Sequence, residues 1–180
     1  MSMQVDIPGY VAGSWVIDAA SSDVTFQIQQ MGFSTVSGSF DDFEGTIVTA
    51  DNPRDSSVTA VIRTASVNTR NKRRDKHLQT KGYLNTKQHP TITFASTGVR
   101  EDGGGILVDG DLTIREVTKQ VTLKVEVDGF GVGADGTEIV RFTARTEINR
   151  DEYNVIQGVA SAVISKKVDV LITAEARKQD

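Results

Sequence analysis

The most distinctive chemistry in the sequence is a basic run at residues 70–76, where five of the seven side chains are cationic and one, Asp75, is acidic. Guanidinium groups near a helix N-terminus attract anions, so the run could contact a phosphate, a pyrophosphate or an acidic membrane surface. It could equally be the solvated face of a helix. The run carries +4 and the whole chain −4, which leaves −8 for the remaining residues. The positive charge is therefore local, and the composition predicts no binding of nucleic acid, which needs an extensive positive surface.

The sequence offers no set of residues for metal binding or catalysis. Its two histidines, His77 and His89, do not have the spacing of metal ligands, and there is no cysteine. A GxSxG motif is absent, and no nucleophile, base and orienting group can be assembled from the sequence. We therefore predict no catalytic residue, no metal site and no cofactor.

Some polar side chains are candidate contacts for the head group of a ligand: Arg73, Arg74, His77 and Arg150. His77, Arg74 and Asp75 could form a polar cluster over the mouth of a barrel. The alternative is that Leu78 holds the helix to the barrel while Arg74 and Asp75 form structural ion pairs. For Arg150 the sequence favours a different role, in which the side chain orders its neighbouring loop by donating hydrogen bonds to backbone carbonyls.

The basic run belongs to the one part of the sequence that predicts a helix. Asn71 can cap its N-terminus, residues 72–79 are mostly good helix formers without a β-branched side chain, and Gly82 follows where the helix would end. On both sides, apolar and polar residues alternate with a period of two, which predicts strands. The chain is therefore predicted to be all-β with one short helix insertion.

About eight strands joined mostly by short turns predict an antiparallel β-barrel rather than a sandwich. Residues 36–47 are predicted as one extended run, in which Gly38 and Gly45 mark bulges or bends. An eight-stranded barrel is either filled by side chains or holds one small ligand, and periodicity does not choose between these. The apolar residues of interior parity are the candidate lining of a ligand cavity: Phe26, Ile28, Val36, Phe40, Ile92, Phe94, Leu112, Leu123, Val125, Phe142 and Ile172.

The length of 180 residues predicts one domain at residues 13–180, preceded by a flexible N-terminal arm at residues 1–12. A chain without cysteine forms no disulfide, which is consistent with a reducing compartment. The sequence starts without a basic segment followed by an apolar one, and it contains no apolar run long enough to cross a membrane. We expect a cytoplasmic protein that does not span a membrane. Whether it forms a homodimer is left open.

Four stretches of the sequence carry a resemblance to a known family. They read GSWVIDAASSDVTFQIQQMGFSTVSGSFDDFEGTI, NKRRDKHLQTKGYLNTKQHPTITFAS, GDLTIREVTKQVTL and INRDEYNV. Over residues 13–176 the chain resembles the bacterial YceI-like family, whose members are lipocalin-like barrels that bind polyisoprenoids and related long amphiphiles. The second and third stretches together are quite specific for this family.

The chain departs from the family pattern at six positions. Ser21 and Gln30 stand where histidine is common, Glu116 and Gln120 where Gly and Pro are usual, and Tyr153 and Asn154 where Phe and Gly are usual. The fold should tolerate these changes. A head-group contact that depended on the two histidines cannot be carried over to this chain.

The resemblance implies a non-enzymatic carrier that holds a long isoprenoid or related lipid, of polyprenyl pyrophosphate or quinone type, inside the barrel. Burying roughly twenty chain carbons at about 0.8 kcal/mol each contributes on the order of 16 kcal/mol before ordering costs, so apolar burial suffices for tight binding. The alternative is a solidly packed barrel with a structural or stress-associated role through its surface. An enzyme acting on an isoprenoid would need convergent polar groups with perturbed pKa values, and the inferred interior is almost wholly apolar.

Overall fold

A computed structural model describes residues 7–30, 34–103, 105–156 and 164–179 of the chain. In these ranges the backbone forms eleven β-strands and one α-helix, together with short 3-10 turns. The strands are β1 (Gly13–Ile17), β2 (Asp23–Gln30), β3 (Ser34–Phe40), β4 (Phe43–Thr49), β5 (Ser57–Arg63), β6 (Val67–Asn68), β7 (Thr91–Asp102), β8 (Gly105–Ile114), β9 (Val117–Val132), β10 (Glu138–Asn149) and β11 (Lys167–Gln179). The helix α1 (Lys72–Leu78) lies between β6 and β7.

Eight of the strands close into one antiparallel barrel. Their order around the ring is β1, β4, β5, β7, β8, β9, β10 and β11, which is also their order along the chain. The ring closes where β11 pairs with β1, for example at Ile17 opposite Ala176 and Trp15 opposite Lys178. The predicted eight-stranded antiparallel barrel with one helix is confirmed.

The other three strands lengthen the wall at the end of the barrel where α1 lies, which we call the helix end. β11 pairs with β1 at residues 176–179 and with β2 at residues 169–173, so β2 continues the position of β1. β3 pairs with β2, and β6 pairs with β3. Three of the eight positions around the barrel are thus built from two consecutive strands each.

The prediction of one extended run at residues 36–47 is wrong, because β3 ends at Phe40 and β4 begins at Phe43. The Asp41 carboxylate accepts hydrogen bonds from Ser39 Oγ at 2.8 Å and from Asn68 Nδ2 at 2.7 Å. Such local bonds of an Asp side chain compete with the regular pairing of a strand. They fix the break between the two strands.

The predicted bulges at Gly38 and Gly45 are wrong as well. Both glycines stay in register, Gly38 opposite Phe26 and Gly45 opposite Ala60. What they supply is space, since a Cβ at Gly45 would lie 2.7 Å from Ile17 Cδ1 and a Cβ at Gly38 would meet the ring of Phe26. These glycines therefore allow a neighbouring side chain to lie against the wall.

The true register shifts lie elsewhere, in β7 and β9. In β7 the pairing with β8 shifts between Ser96 and Gly98, and in β9 Asp128 is the additional residue opposite β10. A bulge inserts one residue and so reverses which side chains point inward beyond it. As a result Val99 and Phe130 line the interior although they break the parity of their strands.

Helix α1 begins where the sequence predicts. The Asn71 side chain accepts a hydrogen bond from the Arg74 backbone N–H at 3.1 Å, which confirms the predicted cap. The helix ends at Leu78, one residue before the predicted end, and Gly82 lies in the turns that follow. These turns fold back on the helix, because the Leu84 N–H donates to the Leu78 carbonyl at 2.9 Å.

The described part of the N-terminal arm, residues 7–12, lies on the opposite end of the barrel. Tyr10 Oη donates to the Ala50 carbonyl at 2.6 Å, and the Tyr10 ring meets the Phe130 ring edge-on at a centroid distance of 5.5 Å. Thr49 Oγ1 donates to the Val11 carbonyl at 2.8 Å. Residues 10 and 11 thus contact the barrel, residues 1–6 lie outside the described residues, and the flexible arm stays a prediction. No helix in the described ranges has both the length and the apolar character needed to cross a membrane.

Candidate functional site

The barrel encloses an apolar cavity of about 510 Å³. This volume falls within the roughly 300–1,000 Å³ that is usual for small-molecule sites. All eight barrel strands contribute side chains to its wall. The structure brings all eleven predicted lining residues to this wall: Phe26, Ile28, Val36, Phe40, Ile92, Phe94, Leu112, Leu123, Val125, Phe142 and Ile172. Their contact with a ligand stays a prediction.

The burial pattern of β9 explains why the sequence could not distinguish a cavity from a filled core. Its inward side chains, including Val121 and Leu123, are only half-buried, while outward Thr122 and Lys124 are exposed. In a filled core the inward side chains would be close-packed and buried. The alternation of apolar and polar residues is therefore the same for a hollow barrel and for a filled one. The two differ in the distance between opposite walls of the barrel.

The end of the cavity beneath the N-terminal arm is closed by an aromatic group. Trp15 is fully buried and packs with Ile47 and Ala176. Its ring meets the Phe130 ring edge-on at a centroid distance of 5.5 Å, and its Nε1 donates to Thr49 Oγ1 at 2.8 Å. Because the indole N–H keeps a hydrogen bond, burying the large ring leaves no unsatisfied donor. This end forms a hydrophobic floor.

At the helix end, α1 and the turns after it place both apolar and polar side chains on the cavity wall. Leu78, Tyr83 and Leu84 supply the apolar surface, and Arg74 and His77 supply the polar one. The His77 and Tyr83 rings meet edge-on with centroids 4.7 Å apart. Leu78 thus faces the cavity, and the head-group candidates Arg74 and His77 border the cavity as well.

Arg74 is fixed by Thr69 rather than by an ion pair with Asp75. Its Nε donates to Thr69 Oγ1 at 2.9 Å, and its Nη2 donates to the Thr69 carbonyl at 3.0 Å. Asp75 Oδ1 accepts from the same Thr69 hydroxyl and from the Thr69 N–H at 2.7 Å. One interpretation of the sequence predicts that Arg74 and Asp75 form structural ion pairs. In the described residues both side chains instead form hydrogen bonds with Thr69, and these bonds hold the Arg74 guanidinium at the cavity wall.

The other two head-group candidates, Arg73 and Arg150, do not present a free polar group to the cavity as Arg74 and His77 do. Arg73 is exposed on the outer side of α1 and does not border the cavity. Arg150 borders it but is only 2% exposed, and its guanidinium is held by backbone carbonyls: Nη2 donates to Ile164 O at 2.6 Å and Nε to Ser165 O at 2.9 Å. Nη1 donates to Ile156 O at 3.0 Å. Arg150 therefore donates hydrogen bonds to backbone carbonyls, as the sequence favoured, and these lie on both sides of residues 157–163, which are outside the described residues.

The barrel wall opens between β9 and β10 at the helix end. Their pairing stops at Arg145 opposite Lys124, although both strands continue beyond these residues. Past this point Thr146 Oγ1 donates to the Thr122 carbonyl at 2.9 Å. Thr146 and its neighbour Ile148 border both the cavity and a cleft on the outer surface. One layer of side chains separates the cavity from solvent here.

None of the five described groups with a shifted pKa borders the cavity: Asp41, Arg100, Asp109, Asp135 and Tyr153. Arg100 donates hydrogen bonds to Asp109 at 2.6 and 2.9 Å on the outer wall and lowers the pKa of that carboxyl to about 2. Burial, with a smaller effect of Glu152, raises the pKa of Tyr153 to about 12. Within the described ranges no three His, Asp or Glu side chains gather as metal ligands would.

Sequence reasoning missed several wall residues. Val168 and Val170 share the inward parity of Ile172 on β11, so the alternation could have identified them. Val99 and Phe130 follow the two bulges, and no sequence signal marks these shifts. Tyr83 and Leu84 lie in turns that carry no periodicity.

Comparison with known proteins identifies relatives in sequence and similar folds among solved structures. The family described as YceI-like domain matches residues 15–176. Protein YceI of Escherichia coli is 37% identical over 172 residues, which cover 94% of this chain and 89% of that protein. Among solved structures, Burkholderia cenocepacia BcnA superposes with a TM-score of 0.80 at 24% identity, covering 88% of this chain and 98% of BcnA. A polyisoprenoid binding domain from Saccharophagus degradans superposes with a TM-score of 0.70 at 19% identity, covering 94% of this chain and all of that domain (100%).

Proposed function

The chain belongs to the YceI-like domain family, and from that premise we propose that it is a non-enzymatic carrier that holds a long isoprenoid or related amphiphilic lipid inside its barrel. The observation that carries this proposal is the cavity of about 510 Å³ with its wall of Val, Ile, Leu and Phe side chains. An apolar chain gains about 0.8 kcal/mol for each CH₂ group that leaves water. A wall of this kind favours a long hydrocarbon over a polar metabolite.

The name of the Saccharophagus degradans domain supports the same ligand class. That domain is called polyisoprenoid binding, and its likeness to this chain is one of fold. The ligand class for this chain is therefore argued from its own cavity. A barrel closed by Trp15 at one end and bordered by Arg74 at the other suits a ligand with one apolar end and one polar end.

We propose that the polar end of the ligand lies at the helix end, near Arg74 and His77. Nε and Nη2 of Arg74 donate hydrogen bonds to Thr69, and no described residue accepts a hydrogen bond from Nη1. A guanidinium in this position suits a pyrophosphate, and an imidazole next to a Tyr ring suits a quinone or prenol oxygen. Polyprenyl pyrophosphates and quinones are both kept as candidates.

Two alternatives are less well supported. A solidly packed barrel that acts through its surface would need a filled interior, which the cavity argues against. An enzyme would need ionisable groups with perturbed pKa values at the cavity, and the described groups with such shifts lie away from it. We also propose a cytoplasmic location, since a chain without cysteine needs no oxidising compartment; cell fractionation tests it.

Native mass spectrometry of the protein, purified from bacterial cells without detergent, tests the proposed function. We expect a fraction of the protein to carry an additional mass that extraction with organic solvent removes and identifies as a lipid. The variant Leu123→Trp, purified in the same way, should retain less of it because the cavity is narrower. Apoprotein alone, combined with no uptake of added geranylgeraniol, would exclude the carrier function. The same spectrum reports whether the chain is a homodimer.

A further inference from the structure

The helix end carries a set of exposed cations without carboxylate partners. We call these side chains the basic collar: Lys72, Arg73, Lys76, Lys81 and Lys87. Among the described residues none of them forms an ion pair. Some cations of the barrel wall are paired instead, such as Arg100 with Asp109 at 2.6 Å and Arg141 with Glu175 at 2.9 Å. The collar therefore presents uncompensated positive charge.

The collar forms one surface because the segment that carries it folds into one unit. The turns after α1 return to its C-terminus, where the Thr86 N–H donates to the Gln79 carbonyl at 3.1 Å. Arg115, at the hairpin between β8 and β9, donates to the Lys81 and Tyr83 carbonyls at 2.8 and 2.6 Å. These bonds attach the unit to the barrel wall. Lys81 and Lys87 thus lie at the same end as the cations of α1.

The segment that carries the collar is positively charged, while the remaining sequence is negatively charged. Residues 69–90 contain seven cations and the single carboxylate Asp75, which gives +6, so the other residues carry −10 of the total of −4. A positively charged segment is attracted to a negatively charged surface.

The inner face of the same segment borders the cavity. Leu78, Tyr83 and Leu84 lie on the cavity wall, while the collar side chains are exposed outside. We propose that the collar docks the helix end on an anionic phospholipid bilayer, so that the cavity faces the surface from which a long lipid is taken or to which it is returned. The inference rests on the proposed function, because only a carrier of water-insoluble lipid needs this orientation.

A bilayer is the partner that these features fit best. The five collar side chains are all exposed, and clusters of four to eight Lys and Arg are typical of attraction to anionic lipids. Each such side chain near an anionic surface strengthens binding by about fivefold. Three neutralised collar residues should therefore weaken binding by about a hundredfold.

Sedimentation with vesicles tests the docking. The collar variant is Lys72→Gln, Arg73→Gln and Lys76→Gln, and the matched control is Lys119→Gln, Lys124→Gln and Arg145→Gln, which removes two Lys and one Arg from exposed, unpaired positions on the described barrel wall. Wild type and control should bind vesicles that contain about one third phosphatidylglycerol, and the collar variant should bind them about a hundredfold more weakly. Binding should disappear in about 0.5 M salt, where charges are strongly screened. Thermal unfolding verifies that both variants are folded.

Several outcomes would overturn the docking. The first is an equal loss of vesicle affinity in the collar variant and the control variant. The second is that wild type binds pure phosphatidylcholine vesicles as tightly as vesicles with phosphatidylglycerol. The third is that wild type binds a DNA duplex but no vesicles. Uptake of geranylgeraniol in the absence of vesicles separates this inference from the proposed function. Uptake by all three proteins with no vesicle binding would exclude the docking alone, and no uptake by any of them would exclude the carrier function and with it the reason for docking.

Discussion

The ring of Phe26 lies over the backbone of Gly38: a Cβ at position 38 would be only 2.4 Å from Phe26 Cζ. The two residues face each other on β2 and β3, and Phe26 borders the cavity. Phe94 is similarly placed over Gly110, where a Cβ would lie 2.4 Å from Phe94 Cζ. Two of the largest inward side chains therefore lie along the wall instead of across the cavity. Glycine at these positions keeps the barrel hollow.

The variant Gly38→Ala should reduce the space available to a ligand. The added methyl forces the Phe26 ring away from the wall, because two carbon atoms cannot approach to 2.4 Å. We expect the affinity for geranylgeraniol, measured by titration, to fall by about tenfold, equivalent to about 1.4 kcal/mol. Gly98→Ala is the control, since no atom lies within 4 Å of a Cβ at this strand position. Equal affinity of both variants would show that the ring position does not limit the cavity.

Enlarging an inward side chain should have an effect that depends on the length of the ligand. Phe94 and Leu123 both border the cavity, so Trp at either position shortens the free space. We expect Phe94→Trp and Leu123→Trp to weaken binding of geranylgeraniol more than binding of geraniol. Equal losses for the long and the short prenol would contradict contact between these residues and the ligand.

Much of the fold could be predicted from the sequence, because the alternation of Val121, Leu123 and Val125 with polar neighbours depends only on the geometry of a strand. Phe130 could not be assigned to the interior, since the bulge at Asp128 reverses the alternation before it. The existence of the cavity could not be predicted either. It depends on contacts such as that of Phe26 with Gly38, which join residues of different strands and leave no periodic signal.

The candidate head-group contacts show a similar division. The sequence identified the basic run, but it treated Arg73 and Arg74 alike. In the structure Thr69 fixes Arg74 on the cavity wall, whereas Arg73 is exposed outside. The difference follows from the angle of 100° between successive helix residues and from the position of Thr69, which only the folded chain reveals.

Arg74 and Arg73 provide a matched pair for testing the head group. If Arg74 binds a pyrophosphate, Arg74→Gln should weaken binding of geranylgeranyl pyrophosphate by about tenfold, since a hydrogen bond to a charged group contributes about 1.5–3 kcal/mol. The same variant should bind geranylgeraniol as wild type does. Arg73→Gln removes an equal charge from the exposed side of α1 and should leave both constants nearly unchanged. If both variants respond alike, the pyrophosphate is attracted by the general positive potential rather than by Arg74.

The hydroxyl of Tyr153 is buried and has no hydrogen-bond partner among the described residues. An unsatisfied buried group costs about 1–3 kcal/mol, so Tyr153→Phe should raise the free energy of unfolding by about 1 kcal/mol and Tm by about 2–4 °C. Calorimetry at neutral pH measures the change, and a lower Tm for the Phe variant would contradict it.

Tyr153 should also make the stability of the protein depend on pH in the alkaline range. Burial raises the pKa of Tyr153 from 10.0 to about 12, so the folded state disfavours the phenolate that the unfolded state forms. Its contribution to stability is complete below a pH of about 10 and is lost as the pH rises from about 10 to about 12. Wild type should therefore lose Tm over this interval more steeply than Tyr153→Phe. Parallel curves would mean that the phenol ionises equally in both states.

The dependence of affinity on the chain length of the ligand tests the central claim most directly. Dissociation constants for geraniol, farnesol and geranylgeraniol, measured by titration calorimetry on one protein sample, should fall by at least about tenfold with each added isoprene unit until the cavity is full. Replacing the hydroxyl of one prenol by pyrophosphate should change the constant less than one added unit does. Constants that are the same for all three prenols, or that follow the head group instead of the chain, would contradict a barrel that binds its ligand by burying an apolar chain.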